Sequence, residues 1–179
     1  PLASSGNPGQ LLDGYYGSDS QNARFAALQN LLTFDTGVSL IQSASAVTTT
    51  ALQQGRTLAD ALATAPAIST AFPNTDLARQ LKQVAQIIQV RAALGLQRQI
   101  FFVSIGGFDT HSGQLAAQND LYTQLSQAMS AFYQSTVELG VGPQVSTFTL
   151  SDFGRTLLPD SNSGSDHAWG SHHLILGGP

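Results

Sequence analysis

The sequence predicts an α/β protein with a parallel-rich sheet flanked by helices and a helical N-terminal half. Apolar residues follow helical spacing through much of residues 1–98. Two nearly continuous apolar runs, residues 99–105 and 145–150, are typical of strands buried in a parallel sheet. A long amphipathic stretch between them would supply the crossover helix that parallel strands require. We therefore expect residues 1–98 to form a helical flank or cap and residues 99–179 to form the C-terminal part of the core.

The N-terminal half is predicted to contain one loop and four helices. Residues 1–18 are dense in Gly, Pro, Ser and Asn, which indicates the loop. We expect Gly55 to end the second helix and Pro66 to stop the third. The helices are predicted over residues 20–32, 38–54, 57–65 and from Asn74 or Thr75 to Gly95, the last with an apolar stripe of Leu77, Leu81, Val84 and Ile88.

The C-terminal half is predicted to place strands and loops around one long helix. That helix covers residues 115–139, and Gly140 closes it. Its apolar stripe consists of Tyr122, Leu125, Met129 and Phe132. The remaining elements are strands at residues 99–105, 145–150 and 173–176 and loops at residues 106–113 and 151–171.

Composition excludes several classes of function. The chain has 179 residues, of which 42% are hydrophobic, and this is enough to bury a core. The net charge is −4 and the 7 Lys and Arg residues form no cluster, so nothing indicates nucleic-acid binding. No apolar run reaches the length of a membrane span. The absence of cysteine excludes disulfides, thiolate catalysis and zinc sites with Cys ligands.

Residues with metal-binding chemistry follow the predicted strands. Asp109 and His111 come after the first strand, and Asp152 and Arg155 come after the second. Parallel strands place such residues at one edge of a sheet. The loop that leaves this edge carries three more candidates, which are Asp166, His167 and His172.

Carboxylates and imidazoles that converge in this way are suited to a divalent metal. The donor types fit zinc, manganese or iron, and carboxylates alone fit calcium or magnesium. Arg155 can hold an anionic oxygen with two parallel hydrogen bonds. The group predicts metal-dependent hydrolysis of a small anionic substrate, a phosphate or sulfate ester.

Each of these residues also has a purely structural interpretation. Asp109 can shape the turn before the long helix. Asp152 can accept backbone N–H groups at a strand end, with Arg155 as its ion-pair partner. His172 and His173 point in opposite directions on a strand, so only one of them is expected to face the site.

Three sequence blocks resemble those of a known family. The blocks "GGFDTHSGQ", "TFTLSDFGRTL" and "SDHAWGSHHLILGG" are similar, in order, to the hallmark blocks of the bacterial domain of unknown function 1501. The resemblance covers roughly residues 99–178. It implies similarity to the alkaline phosphatase and sulfatase superfamily, hence an alkaline-phosphatase-like α/β core, metal-dependent hydrolysis and export from the bacterial cell.

The resemblance also implies roles for individual residues. Asp109 and His111 are similar to an Asp and a His that bind one metal, although their spacing is shorter. Asp152 matches the Asp of a second pair, in which Phe153 stands where the superfamily has His. His167 or His172 could complete the first site. The superfamily nucleophile has no counterpart in residues 1–98, so either it lies upstream or the site is degenerate.

The leading hypothesis is therefore a fragment of an exported, periplasmic or secreted, metal-dependent hydrolase. The alternative is a non-catalytic exported protein of the same fold with a structural or binding role. The sequence starts without Met and stops just after a strand-like run, and we expect a processed or incomplete chain. Its partner would then be the remainder of its own chain or a larger assembly.

Overall fold

The computed structural model of the chain describes residues 17–178, so most of the loop predicted over residues 1–18 lies outside the described residues. The chain divides into two compact units. The first contains Pro1–Ala65 and Val90–Gln97, and the second contains Pro66–Gln89 and Arg98–Pro179. The predicted division after residue 98 stays a prediction. None of the described helices has the length and apolar character needed to cross a membrane.

Two helices lie in the described part of the first unit. Helix α1, Asp19–Thr33, begins at a capping box in which the Ser18 hydroxyl accepts from the Gln21 amide and the Gln21 side chain accepts from the Ser18 amide. Helix α2, Ser39–Thr64, runs through the predicted break at Gly55. Gly55 is buried within this helix, and its lack of a side chain fits that position, so the prediction of two helices was wrong.

The second unit is organised around helix α3, Asp76–Gln89, and helix α4, Gln114–Glu138. The four predicted stripe residues of α3 are all buried, as the helical spacing indicated. Helix α3 ends at Gln89 and not near Gly95. The core of this unit consists of Leu77, Ala78, Leu81, Val84, Ala85, Ile88, Ala128, Phe132 and Val141.

The described strands are short and antiparallel. They are β1 (Ser146–Phe148), β2 (Gly154–Arg155), β3 (His167–Ala168) and β4 (Ile175–Gly177). Strand β1 pairs with β4, with Thr147 opposite Leu176. Strand β2 pairs with β3, with Arg155 opposite His167. Each pair forms a separate two-stranded sheet.

The predicted parallel-rich sheet flanked by helices is therefore wrong for the described residues. Residues 99–105 belong to no strand. Their side chains alternate instead: Val103 packs against the helical core, whereas Phe102 is exposed. The Gln80 side chain bonds both the N–H and the C=O of Ser104, at 3.0 and 2.9 Å. An amide from α3 thus occupies the hydrogen-bonding positions that a neighbouring strand would take.

A carboxylate anchors the segment before α3 to the end of α4. Glu138 accepts hydrogen bonds from the backbone N–H and hydroxyl groups of both Ser69 and Thr70, at 2.5–2.9 Å. These bonds, led by that from the Thr70 hydroxyl, lower the pKa of Glu138 to about 2. The anchor therefore works through an ionised carboxylate at neutral pH.

Candidate metal centre

Three segments of the second unit meet at the candidate site. The loop before α4 carries Asp109 and His111, β2 carries Arg155, and β3 carries His167. Because β2 and β3 are paired with Arg155 opposite His167, both side chains come from one antiparallel ladder.

Main-chain hydrogen bonds join the loop of residues 160–166 to the start of α4. The amides of Gly113 and Gln114 donate to the carbonyls of Asn162 and Ser163, at 3.3 and 2.9 Å. The first amides of a helix have no partners within the helix, so this loop satisfies two of them. The Ser165 amide donates in turn to the Thr110 carbonyl at 3.2 Å. The two loops that supply the site are thus held together by their backbones.

Gly164 permits this close approach. A Cβ atom at this position would overlap the backbone of His111 and lie 2.5 Å from the Ser112 nitrogen. Real Cβ atoms do not come that close to backbone atoms, so any other residue would push the loops apart. The glycine is therefore a requirement of the site and not only of the turn.

One oxygen of Asp109 is the focus of the site. Its Oδ1 lies 2.7 Å from His167 Nε2, 2.8 Å from Arg155 Nη1 and 2.9 Å from His111 Nε2. Hydrogen bonds from His167 and then Arg155 lower the pKa of Asp109 below its usual value. Asp109 is therefore a charged carboxylate at neutral pH, with two imidazoles facing it.

Arg155 is already engaged by the protein. Its Nη1 donates to Asp109, its Nε donates to the Ser165 hydroxyl at 3.0 Å, and its Nη2 donates to the Ser165 carbonyl. The Ser165 hydroxyl in turn donates to Gln114 at 2.5 Å. The Arg155 side chain is only 14% exposed. This arrangement orients Asp109, whereas the sequence suggested that Arg155 binds a substrate anion.

Three aromatic rings form a stack at the site. The Phe153 ring lies on the His167 imidazole with centroids 4.5 Å apart and planes 2° from parallel. The His167 ring in turn stacks on His111, at 5.2 Å and 20°. The two candidate ligand imidazoles are thus held face to face.

Asp160, which the sequence does not mark as a ligand, joins a second group of potential ligand atoms with His111 and Asp166. His111 Nδ1 lies 3.4 Å from Asp166 Oδ1, so this ring faces Asp109 with one nitrogen and Asp166 with the other. Asp160 Oδ1 accepts the amides of Asn162 and Gly164, both at 2.8 Å. An Asp in a Ser- and Gly-rich segment is typical of a turn, so no sequence pattern distinguishes Asp160 as a ligand.

The remaining predicted ligands stand apart from these groups. Asp152 and His172 belong to neither group of potential ligand atoms in the described part of the chain. The residues that do meet are Asp109, His111 and His167 in one group, with Asp166 in the other. They are not brought together by parallel strand ends, as the sequence suggested, but by two loops and an antiparallel ladder.

The donor set of the first group fits a divalent ion. One carboxylate oxygen and two imidazole nitrogens lie within 4.8 Å of one another. A tetrahedral centre with bonds of about 2.0–2.1 Å separates its ligand atoms by roughly 3.3 Å. Oδ1 of Asp109 would therefore move away from each Nε2 by about half an ångström, a small adjustment for exposed side chains. The exposed Asp and His side chains can accordingly hold a metal ion.

Comparison with known proteins identifies the family. A family model described as protein of unknown function (DUF1501) matches residues 10–179. No curated protein and no solved structure matches the chain. The match spans nearly the whole chain, including all residues of the candidate centre, so the protein belongs to the DUF1501 family.

Proposed function

We propose that the protein is a metal-dependent hydrolase of phosphate or sulfate esters, with its ion held by Asp109, His111 and His167. The observation that supports this most is the ligand count. Three protein ligands converge on one point, and each side chain is about half exposed. Structural zinc sites are closed by four protein ligands, whereas catalytic sites leave a position to water or substrate. A three-ligand, solvent-facing group favours the catalytic class.

The residues of the chain would contribute charge and orientation. Arg155 holds the Asp109 carboxylate in place, and its hydrogen bond adds to that from His167 in lowering the pKa of Asp109, so this ligand is negative at neutral pH. The Ser165 hydroxyl accepts from the guanidinium in turn and donates to Gln114. When bound, a divalent ion supplies Lewis acidity and makes a water nucleophile accessible near neutral pH. The donor set favours zinc or manganese over calcium and magnesium, which prefer oxygen ligands.

A second candidate function is a non-catalytic metal site that ties the two loops together. The engagement of Arg155 favours it, because Asp109 and Ser165 bind its guanidinium nitrogens and leave little of the side chain exposed to a substrate anion. The Ser165 hydroxyl is likewise committed to Gln114. In this case the ion would stabilise the fold without turnover.

Hydrolysis assays separate the two functions. The chain would be incubated with an aryl phosphate and an aryl sulfate in the presence of Zn²⁺, Mn²⁺ or EDTA. The hydrolase proposal expects turnover that EDTA abolishes, that added ion restores and that Asp109→Asn removes. Asp152→Asn is the matched control, because Asp152 lies outside both groups of potential ligands in the described chain. Ion binding without turnover would contradict the hydrolase and leave the non-catalytic site.

A further inference from the structure

We propose that Phe153 is a positioning residue of the metal centre, whose ring fixes the plane of the His167 imidazole so that Nε2 faces Asp109. This inference rests on the proposed centre and adds a residue to it. The Phe153 ring forms a flat surface against a ligand ring.

Few other contacts in the described chain fix the orientation of the His167 ring. Its side chain is about half exposed, and it lies on a strand of only two residues. Within residues 17–178, the structure gives this imidazole one hydrogen bond, between Nε2 and Asp109. Histidine ligands usually donate their other ring nitrogen to a carboxylate or carbonyl, which fixes the ring. Here the stacked Phe153 ring orients the imidazole in place of a second hydrogen bond.

The geometry of the contact between Phe153 and His167 restricts rotation of the imidazole. The planes of the two rings differ by only 2°, so the Phe153 ring covers one face of the imidazole. The His111 ring lies on the His167 ring at 20°. Rotation of the imidazole about its Cβ–Cγ bond would drive its edge into one of these neighbours. Both stacks therefore favour the ring plane in which Nε2 points to Asp109.

The backbone holds Phe153 in register with His167. The Ser151 hydroxyl donates to the Phe153 carbonyl at 2.8 Å and fixes the turn before β2. The next residue, Gly154, pairs with Ala168, the residue after His167. A Cβ atom on Gly154 would lie 2.5 Å from the Ala168 carbonyl oxygen, which shows how closely the two strands approach. The distance between the two rings is thus set by a backbone ladder.

Titration calorimetry with Zn²⁺ and with Mn²⁺ tests the proposal. We expect Phe153→Ala to weaken ion affinity by about 10–100-fold, the effect typical of residues that orient a ligand. Phe153→Tyr keeps the flat ring, and its affinity should remain within about threefold of the wild type. Phe148→Ala removes an exposed phenylalanine from β1 and is the matched control with unchanged affinity. If Phe153→Ala does not fold, Phe153→Leu retains bulk without a flat face and should show the same loss.

NMR spectroscopy detects the stack of Phe153 on His167 in the absence of any ion. A phenyl ring stacked on an imidazole shifts the imidazole proton resonances upfield, so Phe153→Ala should move the NMR signals of His167 downfield and Phe153→Tyr should not. Equal ion affinity of wild type and Phe153→Ala, or unmoved His167 signals, would overturn the positioning role. A wild-type protein that binds neither ion would instead overturn the proposed centre, even where the NMR shifts show the stack.

Discussion

The packed face between α3 and α4 and the candidate metal centre lie in one unit but depend on different forces. The packed face is apolar, and residues such as Leu81 and Phe132 are only 4% exposed. The centre is polar and half exposed, and it depends on hydrogen bonds between loops. Burial of apolar surface is the main source of folding stability, whereas single hydrogen bonds contribute little net free energy.

Substitutions in the two regions should therefore have different effects. A change in the packed face should lower the free energy of unfolding and affect ion binding only through unfolding. A change in the loops should separate ligands from one another while the helices remain folded. Matched pairs of variants test this separation.

The largest effect is expected in the packed face. Leu81→Ala should lower the free energy of unfolding by about 2–5 kcal/mol, because it removes a buried side chain and leaves a cavity. Leu115→Ala makes the same chemical change at a position of α4 that is 88% exposed, and should stay within about 0.5 kcal/mol. Urea denaturation followed by circular dichroism measures both. Equal costs for the two variants would show that α3 and α4 do not pack as described.

A smaller loss of stability with a large loss of binding is expected at Gly164. Gly164→Ala forces a Cβ atom into the backbone of the facing loop, which should cost about 1–3 kcal/mol. The displaced loop should carry His167 away from Asp109, so ion affinity should fall more than stability suggests. Gly106→Ala is the control, because a Cβ atom there meets no atom within 4 Å. Unchanged affinity in Gly164→Ala would contradict the role of the loop contact.

The smallest effect is expected at Glu138, and it should disappear in acid. Because the pKa of Glu138 is lowered to about 2, its contribution to stability is complete above the unfolded value of 4.5. The contribution is lost as pH falls from 4.5 through about 2. Glu138→Gln should therefore be less stable than wild type at pH 6, and the difference should shrink towards pH 2.

The control for Glu138→Gln is a carboxylate on the same helix. Asp120 is an exposed carboxylate of α4 to which the structure assigns no hydrogen bond within residues 17–178. Asp120→Asn should match the wild-type stability at pH 6 in a urea titration. A Glu138→Gln variant that does the same would show that the anchor to Ser69 and Thr70 contributes nothing.

The sequence predicted the helices better than the sheet for a physical reason. Helical spacing is a local property, so the stripe from Leu77 to Ile88 identified α3 and its buried face. The apolar run of residues 99–105 has the composition of a buried strand. Composition does not indicate, however, which segment would pair with it. Here the Gln80 side chain takes the place of a neighbouring strand at Ser104. Such a long-range contact leaves no pattern in the sequence.

The candidate centre shows the same limit. The side-chain chemistry of Asp109, His111 and His167 indicates ligands, and the structure brings them together, but through contacts that the sequence does not reveal. The loops are joined by backbone carbonyls such as that of Ser163, and every residue type has a carbonyl. The engagement of Arg155 by Asp109 and Ser165 was likewise hidden, because it depends on that loop contact.

Metal titration of the chain in the calorimeter, with Zn²⁺ and with Mn²⁺, tests the central claim most directly. Wild type and Asp152→Asn should each bind a divalent ion with the same affinity. Asp109→Asn should lose more than the roughly 100-fold typical of residues that only orient ligands. All three proteins should retain the helical signal of α3 and α4. A wild type that binds neither ion, or an Asp109→Asn variant that binds as tightly as Asp152→Asn, would contradict the assignment of Asp109, His111 and His167 as a metal centre.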